Sequence, residues 1–357
     1  MIQPGDGAER IMKGICKAKQ SLEIMIFRFD LHEIERALID AVERGIFVHA
    51  LIAFTNHGGE ENLRKLEKRF LAGGITVART AGDLVRYHGK MMIVDRKELY
   101  VPAFNFTRAD MLRSRSFGLI TRNPKLVAEA VDLFEADTKR QDYSGSNPKF
   151  LVSPVNARKE LANFIKGAKK ELLIYDPRIS DKAMLRLLEE RKDFGIDIRV
   201  IGEVSSSHIS AVELKPWRLH TRTMVRDRNQ VFIGSQSLRQ QELDARREIG
   251  VIFRDRAVVK DVVRTFEEDW TGSSSKKPQR TEQAETKAAE KLAKTVSESI
   301  PLNPVAKKLA KSIKQQTSGK VNQRKIRVTV KDVIRSVVER TARETAEEAA
   351  KITANAS

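Results

Sequence analysis

Apolar and polar residues alternate along the first 270 residues with two periods, one typical of helices and one typical of strands. Apolar residues at helical spacing predict helices over 8–19, 34–44 and 60–72, and short apolar runs predict strands over 22–27 and 46–52. Strands that alternate with helices in this way indicate an α/β fold with mixed β-sheets flanked by helices.

The same succession of elements occurs a second time, which indicates an internal duplication. Residues 159–201 repeat the order helix, strand, helix, strand, with segments at 159–169, 172–175, 182–192 and 196–201. Each half continues with a strand that carries a histidine motif, two further strands and a closing helix, predicted at 98–103, 117–121 and 124–139 in the first half and at 230–234, 249–253 and 256–270 in the second. We therefore predict two pseudo-symmetric lobes, 1–142 and 155–271. They are joined by a linker, 143–154, that is rich in Gly, Ser, Asn and Pro.

The composition changes after residue 271. Residues 272–357 are rich in Lys, Ala, Glu and Thr and contain no aromatic residue. This composition predicts a basic C-terminal tail that is flexible or only transiently helical. Two interpretations stay open at this point: an electrostatic tether to polyanions, and a solvated appendage with no specific partner.

Charge and cysteine content narrow the class of protein. The net charge of +18 at pH 7 favours phosphate-rich partners, either nucleic acid or an anionic membrane surface. Cys16 is the only cysteine, so an intramolecular disulfide and a thiolate zinc site are both excluded. Residues 1–29 lack the apolar core of a signal peptide, and no segment approaches the ~18 uncharged apolar residues of a membrane span. We expect a cytoplasmic protein that can contact a membrane peripherally.

Two copies of one histidine motif carry the candidate chemistry. In each copy a basic residue follows the histidine at two positions and an aspartate follows it at seven: His88, Lys90 and Asp95 in the first, His220, Arg222 and Asp227 in the second. A chemical reason for two histidines and several cations is attack on a phosphodiester. Imidazole can act as a neutral nucleophile or as a proton donor near neutral pH, and cations can neutralise the phosphoryl oxygens.

An amide follows each motif, and we align Asn105 with Gln236 on this basis. Ser235 precedes the second amide within Gly234-Ser235-Gln236, whereas Ala103-Phe104 precedes the first. These amides are candidates to bind or orient phosphate. Asp95 and Asp227 could orient side chains at the site, or they could simply form turns.

The paired motifs in a duplicated body resemble the phospholipase D superfamily over residues 1 to about 270. The resemblance implies that the two motif strands meet across a pseudo-two-fold axis, with His88 facing His220. It implies that one histidine forms a phosphohistidine intermediate while the other protonates the leaving oxygen. It also implies that Lys90, Arg222, Asn105 and Gln236 hold the phosphate without a metal or other cofactor.

The two halves differ at one place downstream, which suggests a division of labour. Glu248 lies as far after His220 as Ser116 lies after His88. Because a neighbouring carboxylate favours imidazolium, we predict that Glu248 pairs with His220, the general acid. Ser116 would then orient His88, the nucleophile.

Three functions remain in competition. The leading hypothesis is a phospholipase D-like phosphodiesterase that hydrolyses phospholipid or transfers a phosphatidyl group to an alcohol. A nuclease of the same superfamily is the second. Because Arg222 and Gln236 stand where the family usually has Lys and Asn, a non-catalytic polyanion-binding protein is the third. The oligomeric state is open, although a monomer suffices to build the site.

Overall fold

The computed structural model describes residues 1–55 and 60–274. By its contacts the chain divides into two units, Met1–Ser275 and Lys276–Ser357. The second unit lies outside the described residues, and so does almost all of the predicted tail. Within the described parts of the chain, no helix is both long and apolar enough to cross a bilayer.

The first lobe contains the predicted succession of strands and helices around one mixed sheet. Its strand order is β1-β8-β7-β6-β2-β3-β4, with β2, β3 and β4 parallel and the remaining neighbours antiparallel. Its elements are β1 (Ile2–Gln3), α1 (Glu9–Lys17), β2 (Ser21–Ile26), α2 (His32–Glu43), β3 (Phe47–Ile52), α3 (Glu61–Ala72), β4 (Thr76–Arg79), β5 (Arg86–Tyr87), β6 (Met91–Val94), β7 (Glu98–Pro102), α4 (Arg108–Arg113), β8 (Ser114–Thr121) and α5 (Pro124–Lys139).

The second lobe repeats this architecture. Its sheet has the order β12-β11-β10-β14-β15-β17-β9, again with three parallel strands at one side. Its elements are β9 (Phe150–Val152), α6 (Ala157–Lys166), β10 (Glu171–Ile179), α7 (Lys182–Asp193), β11 (Asp197–Val204), β12 (Ser210–Val212), β13 (Arg218–Leu219), β14 (Arg222–Arg226), β15 (Gln230–Gly234), α8 (Gln240–Asp244), β16 (Arg246–Arg247), β17 (Ile249–Phe253) and α9 (Arg256–Ser274).

The predicted linker needs a correction. Strand β9 lies inside the segment 143–154 and pairs with β17, just as β1 pairs with β8 in the first lobe. The second lobe therefore begins within the predicted linker. The pattern of apolar residues missed β1 and β9 because two or three residues are too few to show a period.

The motif regions of the two lobes correspond residue by residue, with a constant difference in residue number. Met92 pairs with Tyr100 in the first lobe as Met224 pairs with Phe232 in the second, so equivalent residues are 132 positions apart. The same offset relates His88 to His220 and Ser116 to Glu248. This equivalence decides which side chains correspond at the site.

The lobes share apolar cores in addition to having their own. One shared cluster joins α5 and the first sheet to Phe150, Ile249 and Val251 of the second lobe. The other joins α9 and the second sheet to Ala103 and Phe117 of the first. Because both closing helices pack against residues of both lobes, burial of apolar surface holds the two motif regions together.

Candidate active site

Two short strand pairs carry each motif histidine to the opposite lobe. Strand β5 pairs in parallel with β16, and the N–H of His88 donates to the Arg247 carbonyl at 2.8 Å. Strand β13 pairs in parallel with β8, and the N–H of His220 donates to the Arg115 carbonyl at 3.2 Å. This register sets each histidine beside the residue that follows the arginine. His88 therefore lies beside Glu248, and His220 lies beside Ser116.

The predicted partner of Glu248 was wrong. The Glu248 carboxylate lies 2.7 Å from Nδ1 of His88 and not beside His220. The prediction assumed that Glu248 contacts His220 because it follows His220 in the sequence. In the structure, strand β16, which precedes Glu248, pairs with strand β5 of the other lobe, which precedes His88. The predicted pairing of Ser116 with His88 is wrong for the same reason.

His88 is packed into a buried corner of the site. The ring of Phe27 meets it edge-on, with centroids 4.5 Å apart. Burial lowers the pKa of His88 well below its ordinary value, and the charges of Lys90 and Arg222 lower it further. The imidazole is therefore neutral near pH 7. When Nδ1–H donates to Glu248, Nε2 keeps its lone pair.

Glu248 is itself fully buried, and Ser235 supports it. Burial raises the pKa of Glu248, an effect opposed first by the charge of Lys90 and then by the nearby Ser235 hydroxyl. The Ser235 hydroxyl also accepts the N–H of Ile249 at 3.1 Å. The orienting role of Ser235 stays a prediction.

The cations of the two motifs occupy equivalent places. Lys90 Nζ donates to the His88 carbonyl at 2.7 Å and lies 3.2 Å from both ring nitrogens of that residue. Arg222 donates to the His220 carbonyl at 2.8 Å and to the Ser237 hydroxyl at 3.0 Å. Burial lowers the pKa of Lys90 to about 7.

The two motifs share one electrostatic environment. Lys90 and Arg222 each lower the pKa of both His88 and His220. Charges act strongly over short distances in a buried setting, so each cation must lie near the histidine of the other motif as well as its own.

His220 has a different acidic neighbour from the one predicted. Its Nδ1 lies 3.6 Å from the carboxylate of Asp110, whereas the hydroxyl of Ser116 is buried without a hydrogen-bond partner among the described residues. Burial lowers the pKa of His220 well below its ordinary value, and Asp110 is the first effect that opposes this.

Gln236 does not belong to the site, and its alignment with Asn105 was wrong. Its side-chain amide donates to the Leu151 carbonyl at 3.2 Å, within the second lobe's own sheet. The constant offset of 132 residues makes Ser237 the equivalent of Asn105, and Ser237 contacts Arg222. Matching amide with amide shifted the alignment by one position, which in a β-strand region exchanges the two faces. Asn105 remains a candidate phosphate ligand and donates to Asp110 at 2.8 Å.

The two motif aspartates have a structural position. Asp95 accepts the backbone N–H groups of Lys19, Gln20 and Ser21, at 2.7–3.1 Å. Asp227 accepts those of Lys169, Lys170 and Glu171 over the same range. Each clamps the turn after its motif strand to the start of the neighbouring strand, so the turn-forming interpretation fits and the site-orienting one does not.

Sequence reasoning missed several side chains around the histidines. Asp110 follows Asn105 at the spacing that separates Glu242 from Ser237, so the repeat itself carried the signal for this residue. Arg28 and Arg86 lie 5.9 and 5.7 Å from the centre of the Phe27 ring, next to His88. Neither arginine forms an ion pair within residues 1–55 and 60–274, and only the tertiary structure brings them together.

Comparison with known families matches this geometry. A family model described as cardiolipin synthase, PLD-like domain, matches residues 11–138 and 201–270, which is more than half of the chain. The protein belongs to the phospholipase D superfamily. The match includes both motif histidines and therefore both halves of the site.

Individual known proteins match this chain at low sequence identity. A zebrafish (Danio rerio) mitochondrial cardiolipin hydrolase is 29% identical over 135 residues, covering 36% of this chain and 56% of the hydrolase. The chain thus matches little more than half of that relative's length. Two solved structures share the fold. Polyphosphate kinase from Porphyromonas gingivalis has a TM-score of 0.63 and 18% identity, over 75% of this chain and 49% of the kinase. Phosphatidylserine synthase from Haemophilus influenzae Rd KW20 has a TM-score of 0.58 and 10% identity, over 76% and 86%.

Proposed function

We propose that the protein is a phosphodiesterase that works through a phosphohistidine at His88. The contact that carries this proposal is the 2.7 Å pair between His88 Nδ1 and Glu248. A carboxylate on Nδ1 fixes the tautomer and leaves Nε2 as the nucleophilic atom. It also stabilises the positive charge that the ring gains when Nε2 forms a bond to phosphorus.

In the first step Nε2 of His88 attacks phosphorus, and the bond from phosphorus to the leaving oxygen breaks. His220, protonated on Nε2, gives that proton to the leaving oxygen. Arrival of an anionic phosphate and the carboxylate of Asp110 both favour the imidazolium form of His220, against the effect of burial.

In the second step water or an alcohol attacks phosphorus while neutral His220 takes its proton. The bond from phosphorus to Nε2 of His88 breaks, and the electron pair returns to the ring. Water yields hydrolysis, and an alcohol yields transfer. Lys90, Arg222 and Asn105 supply the donors that meet the charge on the non-bridging oxygens.

We infer that the substrate is a phospholipid. The family model and the zebrafish hydrolase, both named for cardiolipin, support this choice. Arg28 and Arg86 form no ion pair among the described residues and lie near the Phe27 ring, which packs on His88. They favour an anionic substrate in general and fit the nuclease alternative equally well. The non-catalytic alternative keeps its two motives, because Arg222 stands in the second motif and Ser237, which is not an amide, occupies the position equivalent to Asn105.

The test compares substrates under one condition. Purified protein with EDTA would be incubated with vesicles of phosphatidylcholine, phosphatidylglycerol or cardiolipin, with and without glycerol, and in parallel with plasmid and single-stranded DNA. We expect release or exchange of lipid headgroups, abolished by H88A and by H220A. Cleavage of DNA alone would establish the nuclease. Binding without turnover of any substrate would contradict catalysis.

The assignment of the two histidines has its own test. H220A removes both the acid of the first step and the base of the second, so the test uses a phosphodiester whose leaving group needs no proton, such as a p-nitrophenyl ester. The first step can then proceed, and the covalent adduct on His88 should accumulate and be detected by mass spectrometry after a rapid quench. A phosphate found on His220 in H88A, with none on His88 in H220A, would reverse the roles.

A further inference from the structure

The two histidines of the site differ in the origin of their acidic partners. The acidic partner of His88 is Glu248, which directly follows strand β16 of the second lobe. The equivalent position for His220 is Ser116, whose hydroxyl is too short and uncharged to replace a carboxylate. Symmetry alone would leave His220 without an acidic partner.

Asp110 stands in the space that this difference leaves. It is 2% exposed, and its Oδ2 lies 3.6 Å from Nδ1 of His220. The Nδ1 atom of His220 and the hydroxyl of Ser116 are both buried without a hydrogen-bond partner among the described residues. A small movement of either side chain would convert the 3.6 Å contact into a hydrogen bond.

The groups around Asp110 favour its ionised form. Its Oδ2 accepts the N–H of Asn105 at 2.7 Å and the amide of the same residue at 2.8 Å, and Oδ1 is paired with Arg218. Burial opposes ionisation, but His220, the Asn105 N–H and Arg218 together lower the pKa of Asp110. The equivalent residue in the second lobe, Glu242, accepts the N–H of Ser237 at 2.9 Å, yet its ion pairs within the described part of the chain are with arginines, Arg222 among them.

We propose that Asp110 is the positioning residue of His220 and takes over the function that Glu248 has for His88. It selects the tautomer with the proton on Nδ1 and stabilises imidazolium, so that His220 can donate a proton from Nε2. The charged groups that act most strongly on His220 are Asp110, Arg222, Lys90 and Arg218, and Asp110 is the one acid among these four. The catalytic part of the inference depends on the proposed function; the electrostatic part does not.

The experiment tests whether a carboxylate at position 116 can replace the one removed at position 110. D110N removes the charge while keeping the size, and S116E installs a carboxylate at the position equivalent to Glu248. We expect D110N to lower kcat by about tenfold or more, and to move the alkaline limb of the kcat profile to lower pH. The double variant D110N/S116E should recover most of kcat and return the limb, because the carboxylate that S116E introduces would approach His220 as Glu248 approaches His88.

A second readout does not need turnover. The titration of His220 can be followed by NMR of histidine-labelled protein, with its signal assigned by its loss in H220Q. Relative to the wild type, the titration midpoint should fall in D110N, rise in S116E and return in the double variant. If the wild type turned over no substrate, the proposed function would fail, while these midpoints would still decide the role of Asp110.

The matched control is E242Q, which removes the equivalent carboxylate in the other lobe. Glu242 is among the largest charge effects on His88 but not among the largest on His220, so E242Q should move the His220 midpoint much less than D110N does. The inference is overturned if D110N lowers kcat without moving either the pH limb or the midpoint and S116E gives no rescue, because Asp110 would then be merely structural.

Discussion

Lys90 and Arg222 show how one position in a repeat can carry two kinds of cation. Both donate to the carbonyl of their own motif histidine, and both act on the other histidine. A lysine and an arginine differ in the pH at which they lose their positive charge. Burial brings the pKa of Lys90 to about 7, whereas guanidinium stays protonated throughout the physiological range. The first half of the site can therefore lose a charge that the second half keeps.

This difference predicts a pH-dependent affinity for phosphate. Lys90 is cationic below its pKa of about 7 and neutral above it. A phosphonate analogue of the substrate should therefore bind about tenfold more weakly at about pH 9 than at about pH 6. Isothermal titration calorimetry across this range would measure the effect, and K90R should remove most of it. R222K is the reciprocal variant and should steepen the dependence. An unchanged profile in K90R would contradict the assignment to Lys90.

The arginines near Phe27 predict a contribution to binding from outside the motifs. Arg86 is half-buried and forms no direct ion pair among the described residues, so its guanidinium can bind an approaching anion, although Glu248 and Glu242 act on it from a longer distance. R86Q should raise KM by about fivefold with little change in kcat. R186Q, on the exposed face of α7, removes the same charge far from the site and is the control. Equal effects of the two variants would show that only net charge matters.

At the scale of elements, the motif aspartates act as clamps between neighbouring strands. Asp95 fastens the turn after β6 to the start of β2, and Asp227 fastens the turn after β14 to the start of β10. Three backbone donors converge on each carboxylate. These contacts give the third residue of the motif a place in the fold that presents the histidine, and we predict that it takes no part in the reaction.

D95N should accordingly lower stability and spare catalysis. We expect the free energy of unfolding to fall by about 1–3 kcal/mol, measured by urea denaturation, with kcat of the folded fraction unchanged. Burial opposes ionisation, but the backbone donors lower the pKa of Asp95. Its contribution is therefore present above the ordinary carboxyl pKa and is lost as the pH falls through the lowered value. D227N should behave alike, and D193N, at an exposed carboxylate, is the control. A loss of kcat at full stability would return Asp95 to the site.

The sequence predicted long elements well and relations between lobes poorly. Helix α5 and strand β15 have the predicted bounds because their apolar periods are long and clear. The strands β5, β13 and β16 have two residues each, yet they decide which acid meets which histidine. No periodicity can reveal them. The sequence therefore named candidate residues, whereas the pairing of Glu248, the place of Gln236 and the contact of Asp110 with His220 required the backbone register.

At the scale of the whole molecule, two crossed ion pairs join the lobes next to the histidines. Arg115 of the first lobe binds Asp269 of α9 through two bonds of 2.6 and 2.9 Å. Arg247 of the second lobe binds Asp137 of α5 through two bonds of 3.0 and 3.1 Å. The pairs are equivalent under the offset of 132 residues. The carbonyls of the same two arginines accept the N–H groups of His220 and His88, so each pair ties a closing helix to a motif of the opposite lobe.

Breaking one of these pairs should weaken the whole assembly and disturb one histidine more than the other. D269N leaves Arg115 without its charged partner in a buried place, which should lower the free energy of unfolding by about 3–5 kcal/mol. D261N, at an exposed partner of Arg264 on the same helix, should cost less than about 1 kcal/mol. The Arg115 carbonyl holds His220, which acts in both steps, so D269N should slow both formation and resolution of the phosphohistidine. The Arg247 carbonyl holds His88, the nucleophile, so D137N should mainly slow its formation. Quenched-flow measurement of the intermediate separates these steps. Equal costs for D269N and D261N would mean that apolar packing alone holds the lobes together.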